Sequence, residues 1–311
     1  MSAPENPMSV WVSQVMGHPV TVPFPRTTAD LVTDRGENRF LHLNVDLPED
    51  VELHEGVVLG SGPAGRAVSA EIYVPKVGGP HPVFVFLHGG AWYKGSAEDE
   101  RKLGMQIADA GFVVVNVDYA LAPEHPFPAG LEDVLHAIAW TEATIGEYGG
   151  DPDRLSLGGA SAGANLAAAA TGVLHAEAES DGPRIGALLL LYGIFDLAPI
   201  GQIPGPNPIF ESYLGPSWRE RLDDPRVSPI RANLEHFPPT YVSCGDEDTA
   251  LGLSLAMISA LAAGHAPVTA SIVAGANHVF LNIPDVIPGS APELARITAW
   301  LDAQLAPVVA A

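Results

Sequence analysis

Short apolar runs that alternate with helical stretches constrain the fold of this chain more than any other feature of its sequence. From residue 83 onward these runs are continuous and rich in Val, Leu and Ile, which is typical of strands covered on both faces. The helical stretches between and after them include residues 98–111, 129–149 and 292–306. Such alternation predicts an α/β fold with a mostly parallel central sheet, right-handed crossovers and flanking helices. The strand candidates are VFVFLH (83–88), FVVVNVDY (112–119), RLSLGG (154–159), ALLLLYGIFD (187–196), TYVSCGD (240–246) and VTASIVAG (268–275).

Two regions interrupt this rhythm and suggest the domain organisation. Residues 1–50 are mixed in character, and residues 197–239 form a long insertion rich in Pro and Gly between two strand candidates. Long insertions of this kind are usually lids or binding loops. We therefore expect a core of residues 51–196 and 240–311, with an edge hairpin from VELHEGVVLG and AVSAEIYVP, beneath a cap built from 1–50 and 197–239.

Composition excludes several classes of partner. The formal net charge is −22 and only three residues are lysine, so nucleic acid and anionic membranes are disfavoured as partners. The one cysteine, Cys244, cannot form an intramolecular disulfide, which fits a reducing compartment. No cationic residue precedes Arg26 and no long apolar core follows, unlike a secretory signal. A cytoplasmic protein is the expectation.

Ser161 stands at the junction of a strand candidate and an alanine-rich helix, within GGASAG. One interpretation is a helix N-cap, a position that favours serine. The other is a nucleophile on a tight turn, because Gly159-Ala160-Ser161-Ala162-Gly163 fits G-x-S-x-G between a strand and a helix. Small neighbours allow the turn, and the helix directs its N-terminal N–H groups at the reacting centre.

A serine nucleophile needs a base and an acid, each on a loop after a later strand. His278, in VAGANHVF after the last strand candidate, is the predicted base. For the acid, CGDEDTA offers three carboxylates, of which Asp248 is preferred by spacing and Asp246 is the alternative. A buried carboxylate there would hold the tautomer of the imidazole and stabilise its protonated form.

The stretch LHGGAW ends the first parallel strand with two glycines. Acyl transfer requires backbone N–H donors directed at the developing oxyanion, and glycine permits close approach of the main chain. Gly89, Gly90 and Ala162 are therefore the predicted oxyanion-hole residues. His88 is interpreted as a residue that shapes this loop through hydrogen bonds to the backbone.

The chain resembles the bacterial carboxylesterases of the hormone-sensitive-lipase-like branch of the α/β-hydrolases. The resemblance implies the α/β-hydrolase fold, a triad of Ser161, Asp248 and His278, and a cap made from the N-terminus and an insertion. Ala91, Ala160 and Ala120 stand where that family often has glycine, an acidic residue and arginine. The stretches that carry the resemblance are HGGAW, VDYALAPEHPFPAGLEDV, DPDRLSLGGASAGANLA, DDPRVSPIRANLEHFPP, CGDED and GANHVF.

These features predict a serine carboxylesterase that acts on small or short-chain acyl esters without a metal or organic cofactor. Four aromatic residues are the predicted lining of the substrate pocket, with cap packing as their alternative role: Trp92, Phe210, Tyr213 and Trp218. Other enzymatic interpretations are an arylformamidase, a lactonase or a natural-product hydrolase with the same triad. A non-catalytic binding protein of hydrolase fold is the interpretation from another class. A homodimer through the sheet edge at 268–275 is left open.

Overall fold

The protein is described here by a computed structural model that covers residue 31 and residues 41–63, 65–176, 184–202, 205, 207–283 and 287–307. An eight-stranded sheet forms its centre, in the spatial order β1-β2-β4-β3-β5-β6-β7-β8. The pairs β1/β2 and β2/β4 are antiparallel and all later pairs are parallel. The strands are β1 (Val51–Ser61), β2 (Ala67–Pro75), β3 (His81–Leu87), β4 (Val113–Asp118), β5 (Gly150–Ala160), β6 (Ala187–Leu191), β7 (Thr240–Gly245) and β8 (Val268–Val273).

Helices connect and cover these strands, and two hydrophobic clusters hold the layers together. The predicted α/β-hydrolase fold, with its mostly parallel sheet and its edge hairpin, is confirmed. Among the described residues no helix has both the length and the apolar character to cross a bilayer. The helices are α1 (Arg101–Asp109), α2 (Ala129–Thr144), α3 (Ala162–Ala176), α4 (Ala198–Gly201), α5 (Pro208–Leu214), α6 (Leu251–Ala263) and α7 (Ser290–Gln304).

The carboxyl ends of the central strands lie at one edge of the sheet and position the loops that follow them. In the sheet register, Leu87 of β3 pairs with Gly159 of β5, and Ala160 pairs with Leu191 of β6. In open parallel sheets, ligands bind outside this edge, where the loops after the strands meet. The run at 187–196 is a strand only as far as Leu191, because Tyr192 adopts a left-handed conformation with φ 40°.

Within its described residues, the insertion at 197–239 contains α4, α5 and three single turns of 3-10 helix. Its aromatic residues belong to the same hydrophobic cluster as the apolar residues on one of the two faces of β3, β4 and β5. Most of the predicted N-terminal cap segment, residues 1–30 and 32–40, lies outside the described residues. The division into a core and a two-part cap therefore stays a prediction.

Candidate active site

Ser161 occupies the one-residue turn between β5 and α3. Its φ is 55°, although it is not glycine, and its backbone N–H donates to the carbonyl of Leu191 at 2.9 Å. An N-cap residue normally has an extended backbone and accepts a bond from the first helical turn. The Ser161 carbonyl accepts the Asn165 N–H at 3.2 Å, as at the start of a helix, but the backbone is not extended and no side-chain capping bond forms within the described residues. Its Oγ instead lies 2.9 Å from His278 Nε2. This geometry disfavours the N-cap interpretation.

Both glycines of the G-x-S-x-G stretch are required by contacts. A Cβ on Gly159 would lie 2.5 Å from the carbonyl carbon of Gly163 and 2.6 Å from the carbonyl oxygen of Leu87. A Cβ on Gly163 would lie 2.0 Å from that same Leu87 oxygen. These separations are far below van der Waals contact, so α3 can approach β3 this closely only with glycine at both positions.

His278 and Asp248 reach Ser161 from the loops that follow β8 and β7. Nδ1 of His278 lies 2.9 Å from Oδ2 of Asp248, whose side chain is completely buried. Oδ1 of Asp248 accepts the N–H of Ala250 at 2.7 Å. By contrast, the carboxylate of Asp246 accepts the N–H of Gly275. Of the two predicted acids, the structure therefore brings Asp248 to the imidazole.

The surroundings of Asp248 keep its carboxylate ionised. Burial raises its pKa, but the hydrogen bond and charge of His278, the Ala250 N–H and the Cys244 thiol lower it, and the net pKa is below the usual range. The Cys244 sulfur lies 3.5 Å from Oδ2. Burial, and then the charge of Asp248, raises the pKa of Cys244 to about 12. The thiol therefore acts beside the carboxylate as a weak donor and not as a thiolate.

The loop after β3 passes close to Ser161, and its N–H groups have different partners. The N–H of Gly89 donates to Oε1 of Glu100 at 3.2 Å. The N–H groups of Gly90, Ala91 and Ala162 have no acceptor within the described part of the chain. Gly89 was a predicted oxyanion donor, but its N–H is engaged in this structure. Ala91 was not among the predicted donors. Its φ of 50° is a left-handed conformation, and an alanine in the sequence does not indicate such a conformation.

Two side chains hold this loop in shape. Nδ1 of His88 lies 2.7 Å from the carbonyl oxygen of Gly89, as predicted for a loop-shaping histidine. The Tyr119 hydroxyl donates to the carbonyl of His88 at 2.8 Å, and the two rings stack with centroids 4.2 Å apart. Burial lowers the pKa of His88. His88 is therefore neutral, and its Nδ1 is engaged with the backbone of its own loop. It does not contact Ser161, unlike His278.

Backbone strain is concentrated around Ser161. Seven described residues other than glycine have positive φ, and five of these lie at the Ser161 turn or in the loops that follow β3, β6 and β8. Val279, which follows His278, is one of them with φ 58°, a costly conformation for a β-branched residue. Clusters of such residues are typical of functional sites. The five are Ala91, Trp92, Ser161, Tyr192 and Val279.

The four predicted substrate-pocket residues form one aromatic cluster, but it is buried. Trp92 stacks on Tyr213 with ring centroids 4.8 Å apart, and Phe210 packs edge-on against Trp92 and Trp218. All four side chains are at most 4% exposed. Of the four, Trp92 is itself part of the loop after β3, beside Ser161, whereas the other three lie in the insertion. This burial agrees with the cap-packing alternative, and a role in binding substrate stays a prediction.

Comparison with known proteins gives a consistent result. A protein-family profile described as "alpha/beta hydrolase fold" matches residues 84–282. The carboxylic ester hydrolase LipN of Mycobacterium tuberculosis is 32% identical over 263 residues, which cover 79% of this chain and 69% of that protein. The carboxylesterase NlhH of the same species is 27% identical over 307 residues, covering 89% and 90%. One of two fungal esterases from Rhizomucor miehei superposes with a TM-score of 0.81 at 26% identity, covering 98% of this chain and 99% of that one.

Proposed function

The chain belongs to the α/β-hydrolase family and is a carboxylic ester hydrolase, and from this premise we propose that Ser161 is its nucleophile. The observation that carries the proposal is the unbroken hydrogen-bonded line from Asp248 through His278 to Ser161. Its two distances are both 2.9 Å. A base must lie within about 2.6–3.2 Å of the proton that it removes, and His278 satisfies this condition.

The reaction proceeds in two halves. Oγ of Ser161 attacks the ester carbonyl carbon while Nε2 of His278 takes the hydroxyl proton, and a tetrahedral intermediate forms. The imidazolium then gives that proton to the leaving alcohol oxygen as the C–O bond breaks, which leaves an acyl-serine. A water molecule, deprotonated by His278, attacks the acyl-serine, and the proton returns to Oγ as the acid departs. Asp248 stabilises the imidazolium in both halves.

Negative charge on the former carbonyl oxygen requires preorganised donors. We assign this role to the N–H groups of Gly90, Ala91 and Ala162, since they have no other acceptor in the described residues. The positive end of α3 adds to their field. Removal of one oxyanion-hole donor costs about 10²–10³ in turnover.

A fluorophosphonate probe tests the proposal directly. Wild type and a Ser217→Ala variant should be labelled and should hydrolyse p-nitrophenyl butyrate, because Ser217 is an exposed serine that makes no contact with His278 or Asp248 in the described residues. Ser161→Ala should lose both labelling and hydrolysis. Absence of labelling in the wild type would favour a non-catalytic binding protein. Labelling retained in Ser161→Ala would place the nucleophile elsewhere.

We propose short acyl chains as the preferred substrates. The packed aromatic residues around Trp92 support this, because they fill space beside the oxyanion loop. p-Nitrophenyl acetate and butyrate should then be turned over faster than the decanoate. A panel that includes a lactone and an aryl formamide separates the alternatives: faster turnover of either would contradict the ester assignment. The cytoplasmic location, the lack of nucleic-acid and membrane partners, and a homodimer through the β8 edge stay predictions.

A further inference from the structure

Glu100 is a buried acidic side chain beside the oxyanion loop, and the mechanism above does not use it. Glu100 is only 4% exposed to solvent. Oε1 accepts the N–H of Gly89 at 3.2 Å. A Cβ on Gly89 would lie 3.5 Å from that oxygen and 3.5 Å from Cβ of Ser161. A single glycine thus separates this carboxyl group from the nucleophile.

The sheet itself fixes the segment that carries Glu100. The carboxylate of Asp118, at the end of β4, accepts the N–H of Ala97 at 2.7 Å. Asn116, on the same strand, donates from Nδ2 to the carbonyl of Ala97 at 2.8 Å. That carbonyl also accepts the N–H of Glu100 at 3.2 Å. Glu100 is therefore held in place by β4 before its side chain contacts the loop.

The carboxyl group also lies near the other half of the site, where the side chain of Asn282 interacts with it and lowers its pKa. Oε2 of Glu100 and Nδ2 of Asn282 are both buried and make no hydrogen bond of normal geometry within the described residues. Oδ1 of Asn282 accepts the hydroxyl of Tyr192 at 3.2 Å. The Tyr192 ring packs edge-on against His278 with centroids 5.3 Å apart. Glu100 consequently lies between the oxyanion loop and the side chains behind the base.

Such a position is electrostatically costly. Burial is the main cause that raises the pKa of Glu100 to about 7, and the charge of Asp99 adds to it. Hydrogen bonding to the Asn282 side chain and the Gly89 N–H, together with the charge of His278, acts in the opposite direction. Tyr119 and Tyr192 are the other titratable groups that face it. A buried polar group that lacks a complete set of partners reduces stability. Packing alone gives no reason for a carboxyl group at this point.

We propose that Glu100 is a positioning residue for ester hydrolysis: it accepts the Gly89 N–H and thereby holds the loop so that the N–H groups of Gly90 and Ala91 face the tetrahedral intermediate. The inference rests on the proposed function. Gly89 then serves as the point at which the loop is held rather than as an oxyanion donor. The interaction acts mainly in the transition state, so its loss should lower kcat with little change in KM.

Two substitutions separate the reach of the side chain from its charge. Glu100→Gln keeps an acceptor oxygen at the same distance and removes the charge. Glu100→Asp keeps the charge but is one methylene too short to reach Gly89. Glu98→Gln is the matched control, because Glu98 lies in the same single turn with its side chain 47% exposed. All are compared with wild type on p-nitrophenyl butyrate at pH 8, with kcat and KM determined separately.

The positioning role predicts that Glu100→Gln and Glu98→Gln retain kcat within about 3-fold, while Glu100→Asp loses about 10-fold or more with KM within about 3-fold. Equal kcat in Glu100→Asp and wild type would overturn it, as would a larger loss in Glu100→Gln than in Glu100→Asp. A wild type that hydrolyses no ester would instead refute the proposed function, so the two failures are distinguishable.

Discussion

The buried carboxylate of Asp248 contacts Nδ1 of His278 across 2.9 Å, although 30 residues separate the two in the chain. Nδ1 must carry the proton in this pair, because the ionised carboxylate can only accept. Nε2 is then free to accept the proton of Ser161. The contact therefore decides which nitrogen of His278 faces Ser161 as a hydrogen-bond acceptor.

Asp248→Asn should lower kcat by roughly 10³–10⁴-fold with the fold intact, because an amide would favour the wrong imidazole tautomer. Asp246→Asn is its control, since the Asp246 carboxylate accepts the Gly275 N–H and makes no contact with His278 in the described residues, so this variant should stay within a few-fold of wild type. Initial rates on p-nitrophenyl butyrate measure both. Similar losses in the two variants would refute the assignment of Asp248.

Gly163→Ala should destabilise the protein by about 3 kcal/mol or more and reduce activity, because the new Cβ would lie 2.0 Å from the carbonyl oxygen of Leu87. Gly252→Ala is the matched control: Gly252 is likewise the second residue of its helix, and nothing lies within 4 Å of a Cβ built there. That variant should be neutral or more stable by up to about 1 kcal/mol. Urea unfolding monitored by circular dichroism gives both values; a mild Gly163→Ala would contradict the close packing of α3 on β3.

The buried Glu100 should make stability depend on pH. Because burial raises its folded-state pKa to about 7, above that of the unfolded chain, the folded state binds more protons between these values. The free energy of unfolding therefore falls as pH rises through this window, by about 2–3 kcal/mol from pH 5 to pH 8. Glu100→Gln lacks this contribution.

Urea titrations of wild type and Glu100→Gln at pH 5 and pH 8 measure the effect as a difference, which cancels other titrating groups. The variant should gain stability relative to wild type at the higher pH. A difference that does not change with pH would show that Glu100 titrates near its ordinary value.

Glu293→Ala should cost about 3 kcal/mol without changing kcat. The carboxylate is completely buried in α7 and accepts hydrogen bonds from three side-chain hydroxyls beneath it, those of Tyr241, Ser243 and Ser271. Each donor loses about 1 kcal/mol when its acceptor is removed. Glu142→Ala, an exposed position on α2, should be within about 0.5 kcal/mol of wild type. A fall in kcat per folded molecule would mean that α7 influences the site.

The positions of Ser161, Asp248 and His278 after β5, β7 and β8 could be predicted because parallel strands place their carboxyl ends on one edge of a sheet. The same logic identified the loop after β3. It failed for the strand at 187–196, which is five residues shorter because Tyr192 turns away after Leu191. Periodicity describes which residues are apolar, and it carries no information about a single left-handed residue.

Hydrophobic patterning and the order of the short motifs determined the sheet, the helices and the three loops that carry Ser161, Asp248 and His278, since burial of apolar runs and small-residue turns are local properties of the chain. Only the tertiary structure decided that Asp248 and not Asp246 meets His278, that the N–H of Gly89 is bound by Glu100, and that Ala91 is in a left-handed conformation. These depend on the directions of individual side chains and N–H groups, which are set by contacts between residues distant in sequence.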